Sequence, residues 1–454
     1  MHSTYRHPRA AEYRAPGGVW DVPTLDVLVG GDARLAGALR ASGVRRGDVV
    51  AWQAANLPEV PDLYRACWQL GAIAAPIHHH AGPAEVDRIL GVLEPKLFVE
   101  GALPLTGVTP VPRSWARRSD VAVVLFTAGS SGEPKGVLHT HRGLSYKART
   151  MVRAHGLRRD DVVLMPAPLA HISGLLNGVL VPGAAGMRTV LMERWDPERA
   201  LRLIETERVT FMVGPPTFFV GLMAASGFAP ERVASLRLVS SGGAGVTPAF
   251  VAEASERLGA RVKRSYGSTE APTVTTSTAR DSARRARETD GRVVGAAELR
   301  IAADGELLLQ GPELFAGYAE GAQTRAAVTR GWFHTGDLAT LDDHGWLTIT
   351  GRKKDVIIRG GENISAAEVE HTLETHPAVR QAVAVGYPDA RLGEGVCAFV
   401  VTDRPFDLED CRAWFTERGV ARFKTPERVV RLDSMPVLAA GKVDRATLRA
   451  RASA

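Results

Sequence analysis

Residues 126–137 read FTAGSSGEPKGV, a cluster of glycines and hydroxyls with one lysine, directly after the apolar run Val121–Phe126. Glycines let backbone amides converge on an anion, hydroxyls add donors and a lysine adds charge. The loop of Gly129, Ser130, Ser131, Gly132 and Gly136 carrying Lys135, with Thr127 at its entry, therefore suits a polyphosphate. It is not a Walker loop, because Lys135 is followed by Gly136 and the Gly-Lys-Ser/Thr ending is missing. A Ser/Gly-rich surface turn has the same composition. Further along, YGSTE (266–270) offers an aromatic face at Tyr266 for a purine, a hydroxyl at Thr269 for phosphate and a hard oxygen at Glu270 for Mg²⁺. An exposed turn also fits that segment. GWFHTGD (331–337) ends in Asp337, which can accept two hydrogen bonds from vicinal ribose hydroxyls, and Arg352 of GRKKD can approach the same sugar. The plainer reading of Asp337 is a turn cap. Gly242 and Gly243 of SSGGAG allow close backbone approach to a flat base, although a strand-end turn needs them equally.

The elements around these segments alternate. Short apolar runs occur at Val49–Trp52, Ala72–Ile77, Val162–Met165, Thr189–Met192, Phe211–Val213, Leu236–Ser240 and Val262–Tyr266. Helical patterns lie between them, such as Val60–Leu70 stopped by Gly71, and Pro197–Arg208 opening on proline. Strands alternating with helices predict α/β architecture with mostly parallel, doubly covered sheets, whose ligands gather at loops beyond the strands' carboxyl ends. From about residue 295 to 351, strands joined by Asp-Gly and His-Gly turns predict a small β-rich subdomain. The last hundred residues predict a compact α+β domain. A capping box at Ser365-Ala-Ala-Glu368, an Ile364–Val369 staple, strands at Ala382–Val385, Val396–Val401 and Val429–Leu432, and a capped helix from Asp407 to Gly419 mark it.

With 454 residues the chain is too long for one ordinary core, so two or three domains are expected. No apolar run is long enough to span a membrane, and no hydrophobic signal core or lipidation signal is visible, which fits a cytoplasmic enzyme. Net charge is +6, but the basic residues are scattered and no aromatic-interleaved stripe accompanies them, so a polyanionic small ligand is preferred to nucleic acid. Cys67, Cys397 and Cys411 lack metal-ligand spacing and sit in apolar settings, as buried reduced thiols do. His78, His79 and His80 follow a buried strand without acidic or cysteine company, which argues against a metal.

Together with PLAHISG (168–174) and AAGKVDR (439–445), these segments resemble, in order and spacing, the adenylate-forming superfamily of acyl-CoA synthetases, peptide-synthetase adenylation domains and luciferases. The resemblance covers nearly the whole chain. It implies an N-terminal region, residues 1–353, of two α/β subdomains plus a β-barrel, and a small mobile C-terminal domain, residues 354–454. It also implies the following roles. Thr127, Ser130, Ser131, Gly132 and Lys135 hold phosphate. Gly242, Gly243, Ala244, Tyr266, Gly267 and Ser268 surround adenine, Asp337 and Arg352 hold ribose, and Thr269 and Glu270 hold phosphate and Mg²⁺. Lys442 is the catalytic lysine, Lys354 the hinge, His171 the gate of the acyl site, and Gly360 and Gly361 belong to the CoA-ligase form of RGGENIS. A solvated surface lysine at 442 or 354 and a core histidine at 171 are the plain alternatives.

The resemblance implies ATP-dependent activation of a carboxylic acid through an acyl-adenylate, then thioester formation with coenzyme A. A carrier-protein phosphopantetheine as acceptor, and a nucleotide-binding relative without turnover, are the rival readings. Retention of Lys442 and Glu270 argues against the second. Ala128 replaces a common Ser, and Ser130-Ser131 a common Thr-Thr, while hydroxyl donors remain. No acid stands at 171–174 to bind an α-amine, and no Trp stands at Gly267, which leaves room for a longer or aromatic acid. Ile172, Leu175, Leu176 and Val274 are the expected apolar lining. The chain is shorter than most members before residue 45 and between 100 and 118, which bears on oligomeric state, monomer or homodimer.

Overall fold

The computed structural model describes residues 3–6, 22–101, 103, 105–128, 134–359, 362–389, 392–438 and 442–453. Four sheets organise them. In the first, strands Leu97–Val99, Val49–Ala54, Ile73–His78 and Val121–Ala128 run parallel, and Pro134–Thr140 turns back antiparallel on the last, with Gly317–Tyr318 at its outer edge. The second sheet orders Arg188–Leu191, Val162–Met165, Phe211–Gly214, Leu238–Gly242 and Arg261–Tyr266 in parallel, then Thr275–Thr276 and Arg292–Val293 antiparallel. Both are the expected α/β sheets, with boundaries one or two residues from those the apolar runs gave.

The helices start where their caps place them. Asp196 accepts from the Arg199 amide at 2.7 Å ahead of Pro197–Glu207, and Thr140 accepts from the Gly143 amide at 3.1 Å ahead of His141–His155. Helix Glu59–Leu70 ends at Gly71, whose φ of +72° is left-handed and favours glycine. The apolar faces meet in two cores. Trp52, Tyr64, Trp68 and Leu125 anchor one; Leu164, Ile204, Phe219 and Val239 anchor the other.

The β-rich segment forms a third, antiparallel sheet of Glu298–Ile301, Glu306–Gln310, Trp332–Leu341, Val328–Thr329 and Leu347–Arg352. Ser3–Arg6 joins it from the other end of the chain, pairing Ser3 with Ile301, which no sequence signal announced. The expected barrel takes the form of an open path among the described residues, with Ser3–Arg6 and Val328–Thr329 at its ends. The fourth sheet, Glu362–Ser365, Val356–Arg359, Gly393–Thr402, Val379–Asp389 and Arg428–Arg431, is the expected α+β unit. Its capping detail differs. Ser365 Oγ accepts from the Glu368 amide at 3.3 Å, but the Glu368 carboxylate pairs with Lys424 Nζ at 2.6 Å, a charged partner that wins over a neutral backbone donor. The complete reciprocal box is at Asp407 and Asp410. Ile364 and Val369 do bury together in one core.

The three cysteines are free and buried, Cys67 in the first sheet's core and Cys397 and Cys411 in separate clusters of the fourth sheet. Burial pushes the Cys397 thiol up to about 11 and the Cys411 thiol up to about 12. No helix among the described residues is long and apolar enough to cross a membrane.

Several histidines are folded in as neutral rings. Burial lowers His139 and His141 to about 4, against an ordinary 6.5. The unfolded chain therefore binds more protons between those values, so these groups leave stability intact above 6.5 and remove it as pH falls towards 4. We expect the thermal midpoint to fall between pH 6.5 and 4, with His139→Gln flattening the slope. A midpoint independent of pH over that window would refute it.

Candidate active site

The hairpin Val121–Ala128/Pro134–Thr140 places Thr127 opposite Lys135. Ser130, Ser131 and Gly132 lie outside the described residues. Lys135 Nζ sits 5.4 Å from the centroid of the Tyr318 ring, within cation–π range. The Tyr318 hydroxyl donates to Glu270 Oε1 at 2.7 Å. Burial and the Glu270 carboxylate drive the Tyr318 pKa upward, so it remains a donor throughout the physiological range. Tyr318 thus lies between two residues expected to handle phosphate and metal.

The segment after Tyr266 is held from three sides. His139 Nε2 lies 2.8 Å from the Thr269 carbonyl and, as a neutral ring protonated there, donates to it. The Phe315 amide donates to the Glu270 carbonyl at 2.8 Å. Lys147 Nζ donates to the Thr273 carbonyl at 3.0 Å and pairs with Glu313 at 3.4 Å; both side chains are fully buried. Thr273 adopts φ +35°, a strained value for a β-branched residue that these bonds sustain. Ser268 Oγ closes the turn by accepting from the Ala271 amide at 3.2 Å. A side chain at Gly267 would place Cβ 2.3 Å from the Thr273 nitrogen. Close backbone approach accounts for this glycine.

Asp337 follows Gly336, whose φ is +71°, and faces Arg352 across the antiparallel pair. Its Oδ2 accepts from the Tyr266 hydroxyl at 2.7 Å, and Arg352 Nε lies 2.7 Å from Oδ1 as an ion pair rather than an aligned hydrogen bond. Tyr266 is buried among Val137, Ala271, Val274 and Val293, so its hydroxyl, not only its face, has work at this site.

Gly242 is packed so that a Cβ would meet the Ser265 carbonyl oxygen at 2.4 Å. Gly243, with φ +77°, has Lys442 Cε 3.6 Å from its Cβ position, and the exposed Ala244 follows. Lys442 comes from the end of the chain, on a turn closed by the Leu438 amide donating to its carbonyl at 2.7 Å. The lysine keeps solvent-exposed surface. Crowding by protein, then the Arg352 guanidinium, lower its pKa, while Asp337 and Glu270 raise it. Lys354 is exposed, in the turn Lys353–Asp355, and adds to the positive field at Lys442. His171 stands at the N-cap position of the short helix Ile172–Leu175 with no capping bond from its ring, and burial, then Lys442, lower it to about 4. Gly360 and Gly361 lie outside the described residues.

The expected apolar lining divides between two clusters, with Ile172, Leu175 and Leu176 in one and Val274 in the other. Val274 is buried in the cluster of Tyr266 and Leu299, whereas Leu175 and Leu176 are buried in the first core. Of that set Ile172 alone is half-exposed, near a π-helical turn, Leu176–Leu180, of the sort common at functional sites.

Tyr318, His139 and the Lys147–Glu313 pair were not expected from sequence. Their partners lie 48, 130 and 166 residues away, so no local spacing announces them. Tyr318→Phe removes a hydrogen bond to a charged group worth about 1.5–3 kcal/mol. We expect pyrophosphate release to fall by roughly tenfold or more at subsaturating Mg²⁺ and to recover partly at high Mg²⁺. Unchanged kinetics at low Mg²⁺ would separate Tyr318 from Glu270's task.

The family model described as AMP-binding enzyme matches residues 32–106 and 100–319, and the AMP-binding enzyme C-terminal domain matches 368–442. The medium-chain fatty-acid–CoA ligase of Escherichia coli (strain K12) is 33% identical over 471 residues, covering 91% of this chain and 83% of the relative. The indoleacetate–CoA ligase of Aromatoleum aromaticum is 33% identical over 468 residues, covering 93% and 92%. ATP-bound MatB from Rhodopseudomonas palustris superposes with a TM-score of 0.85 at 28% identity, covering 92% of this chain and 91% of that one. Lys442 from the chain's end beside Gly243, the matched domains and these relatives agree: the chain belongs to the AMP-binding enzymes, the adenylate-forming superfamily.

Proposed function

We propose that this chain is an AMP-forming acid–CoA ligase acting on a hydrophobic carboxylic acid, medium-chain, longer or aromatic. The observation that carries it is Lys442 lying against Gly243, in the field of Asp337 and Glu270. The named relatives act on medium-chain fatty acids and indoleacetate, which supports a hydrophobic acid. A cytoplasmic setting, where ATP and CoA are at hand, fits the reading. We place the boundary between an N-terminal ATP- and acyl-binding region and a mobile C-terminal domain at 353/354.

A carboxylate is a poor electrophile. In the proposed first step its oxygen attacks the α-phosphorus of ATP, the bond to the β-phosphate oxygen breaks and pyrophosphate leaves. Asp337, held by Tyr266 and Arg352, accepts from the ribose hydroxyls and fixes the nucleotide. Lys442 donates to the carboxylate and α-phosphate oxygens, where negative charge is shared in the transition state. Lys135 and the adjoining loop take the outer phosphates, and Thr269, fixed by His139, takes one oxygen more. In the second step the CoA thiolate attacks the acyl carbon and AMP departs.

No group of three or more His, Cys, Asp or Glu among the described residues could hold a metal on its own. The single carboxylate of Glu270, oriented by Tyr318, suits Mg²⁺, which is commonly held by one or two carboxylates and substrate phosphates. When bound it supplies charge neutralisation at the phosphates. ATP–pyrophosphate exchange with a panel of acids, followed by thioester assay with CoA and with a carrier protein, tests the reading. Exchange with no acid sinks it, and thioester on the carrier alone replaces CoA as acceptor.

A further inference from the structure

Beside His171, at the carboxyl end of strand Ile73–His78, three consecutive histidines form a shelf. Ring centroids lie 5.0 Å apart for His78 and His171, 4.6 Å for His78 and His79, and 3.9 Å for His79 and His80. Hydrogen bonds brace the turn carrying them. Gln53 Nε2 donates to the carbonyls of His78 at 3.1 Å and Ala81 at 2.9 Å, and the Ala81 amide donates to the His78 carbonyl at 2.9 Å.

Hydrogen bonding fixes the His78 tautomer. The His80 amide donates to His78 Nδ1 at 3.0 Å, so Nδ1 carries a lone pair. Burial, then His171, hold the ring neutral, near 3. A neutral imidazole with an accepting Nδ1 carries its proton on Nε2. That Nε2 is buried and has no acceptor among the described residues. An unsatisfied buried donor is costly, and in a binding site it selects for a ligand atom that satisfies it. The charges nearby are cationic. His79 is lowered by burial, His80 and Arg194, and His171 faces Lys442. An oxygen acceptor suits that field and a donor group does not.

We propose that His78 is a specificity-determining residue whose Nε2–H donates to a ketone, ether or hydroxyl oxygen on the acyl part of the acid. The preferred substrates are then hydrophobic acids bearing one such oxygen within reach of the His78 and His171 pair. The proposal rests on the acid–CoA ligase reading and narrows its substrate class.

The test compares kcat/KM for pyrophosphate release between straight-chain acids and analogues with a ketone moved stepwise along the chain. The wild-type enzyme should favour the ketone at one position by about tenfold over the plain acid, although the ketone lowers hydrophobicity. His78→Phe should erase that preference and retain activity on the plain acid. His78→Gln, which keeps an N–H donor, should restore part of it. A merely structural role would lower both activities together and leave their ratio unchanged. If His78→Phe is inactive on every acid, the ratio in His78→Gln and His78→Leu decides. A wild-type enzyme that favours no ketone position, as expected if a trapped water satisfies Nε2, overturns the proposal, as does a ratio untouched by the substitutions. Failure of the underlying reading looks different, because then no acid, plain or ketone-bearing, supports pyrophosphate release.

Discussion

Lys442→Ala is expected to reduce acyl-adenylate formation by about 10²–10³-fold while thioester formation from supplied acyl-adenylate stays near the wild-type rate. The lysine stands over Gly243, whose left-handed backbone brings it close, in the combined field of Asp337 and Glu270. In the proposed mechanism its ammonium stabilises charge there only while the α-phosphate is attacked. It has no such task once the adenylate exists, and in an enzyme that alternates domains it is withdrawn by then. Parallel assays of pyrophosphate release and of CoA consumption from synthetic adenylate check this. Equal loss in both half-reactions would count against domain alternation.

Lys354→Pro should separate the half-reactions in the opposite way. Lys353 is tied to Asp304 at 2.8 Å and Glu306 at 3.1 Å, while Asp355 is tied to Arg449 of the last helix at 2.6 Å. Lys354 therefore stands between anchors in the third sheet and the C-terminal unit. Proline fixes φ near −65°, which a 3₁₀ turn accepts, so the observed arrangement with Lys442 in place is retained. Rotation about that bond is lost, so pyrophosphate exchange should persist and thioester formation fall by orders of magnitude. Thermal melting guards against simple unfolding. A stable variant making thioester at the normal rate moves the pivot elsewhere.

Much of this was legible in the chain. The parallel strands of both α/β sheets came from apolar runs flanked by helical periodicity, because strands buried on both faces need continuous apolar residues. Asp337, Arg352 and Glu270 stood out in the chain because each lies in a polar segment with a nearby glycine. The network that aims them did not. Tyr318, His139, Lys147 and Glu313 act through partners remote in sequence, and a tyrosine, histidine or lysine on an apolar face carries no mark of its partner. The division of the expected acyl lining between two clusters has a related cause. Leu175, Leu176 and Val274 have the right polarity, but packing assigned them to two different cores. Glu368 shows the same limit in miniature, since a capping pattern gave way to Lys424, 56 residues away.

The sealed thiols make the molecule its own reporter of breathing. A thiolate is needed for attack on a labelling reagent, and burial denies Cys67, Cys397 and Cys411 both ionisation and access. Each therefore reacts only when its own core opens, one in the first sheet and two in the fourth. A rigid rotation of the C-terminal unit carries Cys397 and Cys411 along as passengers without uncovering them. Slow, denaturant-accelerated labelling at all three, unaltered when nucleotide drives the enzyme round its cycle, is the signature of hinged motion. Faster labelling of Cys397 or Cys411 during turnover would instead reveal partial melting of the moving unit.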